Sequence, residues 1–269
     1  MGVNTDKTLI QLRMLNRGKG PAVHCPRAQV DKYKYHAEMK KTLEGTPNLF
    51  LRQAEAAEVL HDDEKVFGVK TAQGLTYYAK AVVLATGVYL DSRIIVGEWI
   101  NDVGPNGFSN AKKLTASLVE MGFDVRRFKT GTPARIHARS VDFSKMTAQP
   151  GEPDMPPFSY MHDSLPAEQH DCYLTYTTSV THDVIRSNIG RAPLFSGAIK
   201  GTGPRYCPSI EDKVTRFADK DRHQIFLERE GLDTDEIYVQ GMSSSMPADV
   251  QYEIYRTIPG LDKVDFMRD

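Results

Sequence analysis

The 269-residue chain carries 34 basic and 35 acidic residues, a formal charge of −1, so no global field marks it as a nucleic-acid binder and local patches must carry any such role. Its 40% hydrophobic and 26% charged content is ordinary for a globular protein. No apolar run approaches the roughly 20 residues that span a bilayer, so no membrane association is expected. Three scattered cysteines, Cys25, Cys172 and Cys207, offer neither a disulfide framework nor paired metal-ligand spacing. No metal is expected, and a reducing cytoplasm fits. Met1 to Lys7 shows no apolar signal core or Arg-rich leader.

In chain order, residues 29–44 read as a helix ended by Gly45 and Pro47, with Val30, Ala37 and Leu43 among its apolar positions. A β-rich stretch follows. Asn48 to Gln53 and Ala57 to Leu60 read as strands, His61 to Lys65 as a polar turn, and Val66 to Thr71 and Leu75 to Tyr78 as strands around the turn Ala72-Gln73-Gly74. Ala79 to Gly87 is an uninterrupted apolar run, which predicts a strand buried on both faces as in a parallel sheet. Residues 111–122 place Leu114, Leu118 and Met121 at i, i+4 and i+7, an amphipathic helix. Phe123 to Lys129 reads as a strand. Pro150, Pro153, Pro156, Pro157 and Pro166 then leave little room for regular structure over 140–172, an irregular segment suited to covering a neighbour. His182 and Asp183 read as strand residues on opposite faces, with structural hydrogen bonding favoured over a catalytic pair.

Between Ala111 and Arg139, Lys112, Lys113, Arg126, Arg127, Lys129, Arg135 and Arg139 face only Glu120 and Asp124, an excess that suits either a phosphate backbone or a solvated basic face. The most informative run is Gly201-Thr202-Gly203-Pro204-Arg205-Tyr206-Cys207-Pro208-Ser209-Ile210-Glu211-Asp212-Lys213. Pro208 suits a first helical turn, Ser209 with Asp212 approximates a capping box, and Ile210, Val214 and Phe217 form one apolar stripe. Cys207 then stands before free helix N–H groups with Arg205 nearby, a setting that lowers a thiol pKa and makes a usable nucleophile or base. The competing reading is a small buried filler. Glu211 and Asp212 complement the helix dipole rather than bind a metal.

Several stretches together resemble the MnmG/GidA family of FAD-dependent tRNA wobble-uridine modification enzymes. They are Leu15-Asn16 with Gly18 to Val23, Arg27-Ala28-Gln29, Ala79 to Gly87, Lys129 to Pro133, Thr181 to Asn188, Gly203 to Lys213, Phe217-Ala218-Asp219 and His223 to Glu228. The resemblance covers about Leu12 to the end. It implies an α/β fold, a partial glutathione-reductase-like Rossmann domain for FAD and NAD(P) with an inserted α+β domain. The implied division is residues 1–130 (FAD domain with its β-meander), 131–240 (inserted NAD- and tRNA-related domain) and 241–269 (return to the FAD domain).

The resemblance further implies installation of an aminomethyl or carboxymethylaminomethyl group on C5 of the wobble uridine. Methylene-tetrahydrofolate supplies the carbon, FAD the redox step and NADH the flavin reduction, with an MnmE-type GTPase partner and a homodimer. Cys207 matches a family cysteine implicated in catalysis. The NAD-assigned run maps onto Gly203, Pro204, Arg205, Tyr206, Cys207, Pro208, Ser209, Ile210, Glu211, Asp212, Lys213, Val214, Thr215, Arg216 and Phe217. FAD contacts map onto Glu55, Thr86, Gly87 and Ser109, with Glu55 where the family has an apolar residue. Lys19, Arg27, Arg126, Arg127, Lys129 and Arg186 are the expected tRNA contacts. The chain lacks the Gly-x-Gly-x-x-Gly opening of an FAD domain and the family's later segments. It therefore reads as an internal fragment, inactive and poor at holding FAD alone. A folate-dependent tRNA uridine methyltransferase, and a non-catalytic tRNA-binding or dimerising module, are the alternatives.

Overall fold

A computed structural model describes residues 1–165, 168–201 and 208–268. The elements in chain order are α1 (Gly2–Lys7), β1 (Leu9–Leu15), β2 (Cys25–Val30), α2 (Lys32–Glu44), β3 (Ala56–His61), β4 (Val66–Thr71), β5 (Thr76–Tyr78), β6 (Ile94–Val96), β7 (Trp99–Asn101), α3 (Lys112–Glu120), β8 (Arg135–His137), β9 (Thr147–Gln149), β10 (Cys172–Tyr176), α4 (Ser179–Ser187), α5 (Pro193–Ser196), α6 (Ile210–Arg216), β11 (Gln224–Arg229), β12 (Glu236–Gln240), α7 (Ala248–Arg256) and β13 (Phe266–Arg268). The architecture is mixed α/β.

The largest sheet has the order β13-β8-β12-β11-β10-β9, antiparallel throughout. Alternation explains its inner strands. Ile225 and Leu227 on β11 and Ile237 and Val239 on β12 are buried, while their polar neighbours turn away. Helices α4, α6 and α7 supply the apolar residues that close this core: Ile185, Ile210 and Val214, and Val250 with Ile254. Core residues run from Ala134 to Val264. Met242 to Val264 contribute to this core together with the residues before them.

A second body is the meander β3-β4-β5, whose Val59 packs on Leu114 and Leu118 of α3. Ser117 Oγ accepts the Val59 amide at 3.1 Å. A third is the ladder of β1 with β2. The proline-rich segment lies along its open side: the Glu152 amide donates to the Leu12 carbonyl at 2.9 Å and the His170 amide to the Ile10 carbonyl at 2.9 Å. Its expected role as a covering segment fits, with one short strand, β9, inside it.

Several expectations are corrected. The helix over 29–44 begins at Lys32, because Gln29 and Val30 belong to β2 and the Asp31 carboxylate caps the Tyr33 and Lys34 amides. Asn48 to Gln53 and Phe123 to Lys129 form no strand. Ala79 to Gly87 is neither a strand nor buried; Val83 is 89% exposed and Leu84 45%. A strand needs ladder partners for its amides and carbonyls, and no parallel pairing exists among the described residues. His182 and Asp183 sit on α4, a helix, capped by the Thr178 and Thr181 hydroxyls acting as a capping box.

Candidate functional site

Helix α6 is built much as its sequence implies. Ser209 is its N-cap, and the Ser209 hydroxyl and the Asp212 carboxylate bond each other's backbone amides at 3.3 and 3.4 Å. Pro208 precedes this cap and so stands outside the helix instead of in its first turn. Thr202 to Cys207 lie outside the described residues, and with them Cys207 and the NAD-assigned Gly203, Pro204, Arg205 and Tyr206.

The side chains that follow turn inward. Ser209, Ile210, Glu211, Asp212 and Val214 are all buried. Asp212 forms an ion pair with Lys129 at 3.4 Å, both side chains largely covered. Glu211 accepts from the Ser244 hydroxyl at 3.1 Å and from the Ser245 amide and hydroxyl at 3.3 and 3.4 Å. The Ile210 amide donates to the Ser243 carbonyl at 2.8 Å, and Lys213 Nζ to the Gly241 carbonyl at 2.9 Å.

An NAD pyrophosphate placed here would meet two buried carboxylates and a helix of seven residues whose cap is already satisfied. The described residues therefore do not fit a dinucleotide cradle. Ser209, Ile210, Glu211, Asp212 and Val214, expected as NAD contacts, are packed inward among the described residues. Only Thr215, Arg216 and Phe217 are exposed, with Lys213 half-buried.

Beside α6, buried Thr177 and His182 group with half-buried His223. Thr177 Oγ accepts the His223 amide at 2.8 Å and contacts His182 Nε2 at 2.8 Å; the two imidazoles lie 5.3 Å apart. His223 Nε2 is buried without a partner among the described residues. Desolvation pushes both histidines below their ordinary value; Arg186 adds to this at His182, where Asp183 and Asp221 oppose it, and His182 and Lys213 add to it at His223. Because the folded state resists protonation, the stability of this group is present above the unfolded value of 6.5 and is lost as pH falls below it. Thermal unfolding is expected to move down by a few degrees between pH 7.5 and 5.5, and His182→Gln is expected to flatten that slope. A midpoint independent of pH in this window would contradict the assignment.

The FAD-assigned residues fall in two places. Glu55 precedes β3, its carbonyl holding the Ala72 amide at 2.9 Å. Thr86 and Gly87 form the turn closed by the Tyr89 amide on the Thr86 carbonyl. Ser109 lies near the ring of Tyr89, the residue that closes this turn: a Cβ built on Gly104 would stand 2.6 Å from that ring and 2.9 Å from the Ser109 carbonyl oxygen. Gly87 adopts φ +55° with open space on its Cβ side. From Ala81 to Gly87 no backbone amide has a backbone partner among the described residues. An open, unpaired backbone with a glycine at positive φ fits the close approach of a flat cofactor.

Five of the seven basic residues over 111–139 have a carboxylate partner, while Lys112 and Lys113 are exposed. Arg126 pairs with Asp124, Arg127 with Asp91, Lys129 with Asp212, Arg135 with Glu230 and Arg139 with Asp265. Elsewhere Arg27 forms a two-pronged pair with buried Glu228 at 2.8 Å, and Arg186 pairs with Asp183. Lys19 is exposed and has no carboxylate partner among the described residues. Open clefts of about 400 and 700 Å³ lie elsewhere, and neither is lined by an expected site residue.

Residues 1–269 match the family model for glucose inhibited division protein A. The chain belongs to the GidA family. Over 268 residues it is 58% identical to the tRNA uridine 5-carboxymethylaminomethyl modification enzyme MnmG of Caldicellulosiruptor saccharolyticus, and 54% identical to that of Clostridium botulinum, covering all of this chain and 43% of each relative. The crystal structure of Aquifex aeolicus GidA superposes with a TM-score of 0.92 at 46% identity, covering the whole chain and 46% of that structure. The chain thus spans less than half the length of these GidA relatives. Sequence reasoning missed the serine run Ser243-Ser244-Ser245; a hydroxyl-rich turn after Gly241 was the available signal for a carboxylate clamp.

Proposed function

We propose that this chain forms part of an enzyme that installs a (carboxymethyl)aminomethyl group on C5 of the wobble uridine of tRNA. The observation that supports this most strongly is its 54% and 58% identity, over its whole length, to enzymes named for a tRNA uridine modification. By family resemblance, methylene-tetrahydrofolate is the carbon donor, an MnmE-type GTPase the partner, NADH the reductant, a homodimer the working assembly and the cytoplasm the location. No helix among the described residues is long and apolar enough to cross a membrane.

FAD, when bound, supplies the electron-transfer chemistry. The backbone at Thr86 and Gly87, with Ser109 alongside, would hold it, and Glu55 would contribute through its backbone. Cys207 adds to the pyrimidine ring as a thiolate or moves a proton at C5. Among the basic residues, Lys19 is the phosphate contact best left free. The exposed ion pairs of Arg126, Arg127 and Arg186 can exchange a carboxylate for a phosphate at little cost, since such pairs are worth about 0–1 kcal/mol. The pairs of Arg27 and Lys129 with buried carboxylates are given structural roles.

The cofactor assignment is tested with a chimera in which these 269 residues replace the matching 43% of the C. saccharolyticus enzyme. It is expected to retain flavin through gel filtration, and Gly87→Val to lower the bound flavin by about tenfold, because a β-branched residue at positive φ strains and crowds the approach. A flavin-free chimera, or full retention by Gly87→Val, would count against it.

A further inference from the structure

The cleft of about 400 Å³ beside β10 is lined by none of the residues assigned to FAD, NAD or tRNA. β9 stops short there. Its pairing with β10 runs only from Cys172 to Leu174, so Thr175 and Tyr176 have no partner on that edge. The Thr177 amide donates to the His223 carbonyl on the other edge. Alternation along the strand therefore turns the backbone groups of Tyr176 to the open side. The walls are fixed: Thr175 Oγ donates to the Pro259 carbonyl at 3.1 Å, and the Asp142 amide donates to the Gly260 carbonyl at 2.9 Å.

Three side chains give this cleft its chemistry. The Arg222 guanidinium lies 4.1 Å from the centre of the Tyr176 ring, is exposed, and has no carboxylate partner among the described residues. Asp221, next to it on the same wall, has no ion-pair partner among them either. Lys145 pairs with Asp262 at 2.6 Å, an exposed pair of the kind that exchanges partners at little cost. A lone inorganic anion would meet the Asp221 carboxylate and leave most of the volume empty. The ligand that satisfies all three has a flat face for the guanidinium, N–H donors for Asp221 and a negative group for Lys145. A ribonucleotide joins these features in one molecule. We propose that the cleft takes one unstacked nucleotide of an RNA strand, its base on Arg222, its Watson–Crick edge on Asp221 and its phosphate at Lys145. The choice of an RNA strand rests on the reading of the chain as part of a tRNA-modifying enzyme. Asp221 favours guanine, which offers a carboxylate two N–H donors side by side, over uracil, which offers one.

Fluorescence anisotropy of a labelled short oligoribonucleotide with a central guanosine, titrated with the 269-residue chain at one fixed salt concentration, tests this. The guanosine oligomer is expected to bind more tightly than its central-uridine counterpart. Arg222→Ala is expected to weaken binding by about tenfold, the scale of losing one stacked base. Arg222→Lys keeps the charge but loses the plane, and is expected to weaken it by about fivefold. Asp221→Asn is expected to remove the guanosine preference. Competition with free GMP separates the two sources of this ligand, and the oligomer is expected to bind more tightly than GMP.

Equal binding by the parent, Arg222→Ala and Arg222→Lys overturns the proposal, as does a parent chain that binds no oligomer. GMP competing as well as the oligomer overturns the RNA strand as the source. Arg222 and Asp221 are both exposed, and a thermal midpoint equal to the parent's shows that each variant is folded; if one unfolds, the others decide. Binding needs no modification chemistry. A chain that takes the oligomer through Arg222, in a protein that modifies no tRNA, would remove the functional reading and leave the site.

Discussion

Asp212→Ala is expected to cost about 3–5 kcal/mol of stability, the scale for removing one partner of a buried ion pair. Asp212 is buried and Lys129 largely covered, so the ammonium left behind loses its carboxylate in a poorly solvated setting. The same substitution removes the acceptor for the Ser209 amide, a cap worth about 1 kcal/mol on its own. Against a typical total of about 5–15 kcal/mol, the variant should unfold at visibly lower urea. The double variant Lys129→Met with Asp212→Leu should recover much of the loss, since apolar replacement of a buried pair is often neutral. A loss from Asp212→Ala below about 1 kcal/mol would show that the pair is solvated and not a lock.

Ile225→Ala should be comparably severe, at about 2–5 kcal/mol, with Ile225→Val at about 0.5–1.5 kcal/mol. Ile225 is fully buried on β11, which is paired on both edges, with β10 and with β12. A strand held on both sides cannot collapse into the cavity, so most of the cost is retained. Urea midpoints of the two variants measure it, and equal values for valine and alanine would mean that the site relaxes freely.

Local signals were legible in the sequence. The turns at 61–65 and 72–74 between alternating residues marked β3, β4 and β5, and the i, i+4 spacing of Leu114 and Leu118 marked α3. Ser209 with Asp212 marked the start of α6 to the residue. What depended on distant partners was not legible. The apolar run 79–87 reads as a buried strand, yet burial of a strand is decided by its neighbours, and here it has none to pair with. Helix α4 was misread because Thr178 and Thr181 cap it in place of the usual acidic N3 residue.

The site was divided in the same way. Its cysteine and cap could be read along the chain, but Lys129 meets Asp212 across 83 residues and Glu211 meets Ser244 across 33. No local pattern announces such pairings. In the basic run at 111–139, charges that look unbalanced in sequence find Asp91, Asp212, Glu230 and Asp265 in space.

The most direct measurement is nucleoside mass spectrometry of tRNA treated with the chimera described above, its partner GTPase and cofactors. With Cys207 intact, C5-modified wobble uridine should accumulate. With Cys207→Ser the rate should fall by roughly a hundredfold or more, the scale of losing a group that touches the reacting atoms. Modification by the Cys207→Ser chimera at the parent rate would contradict the account.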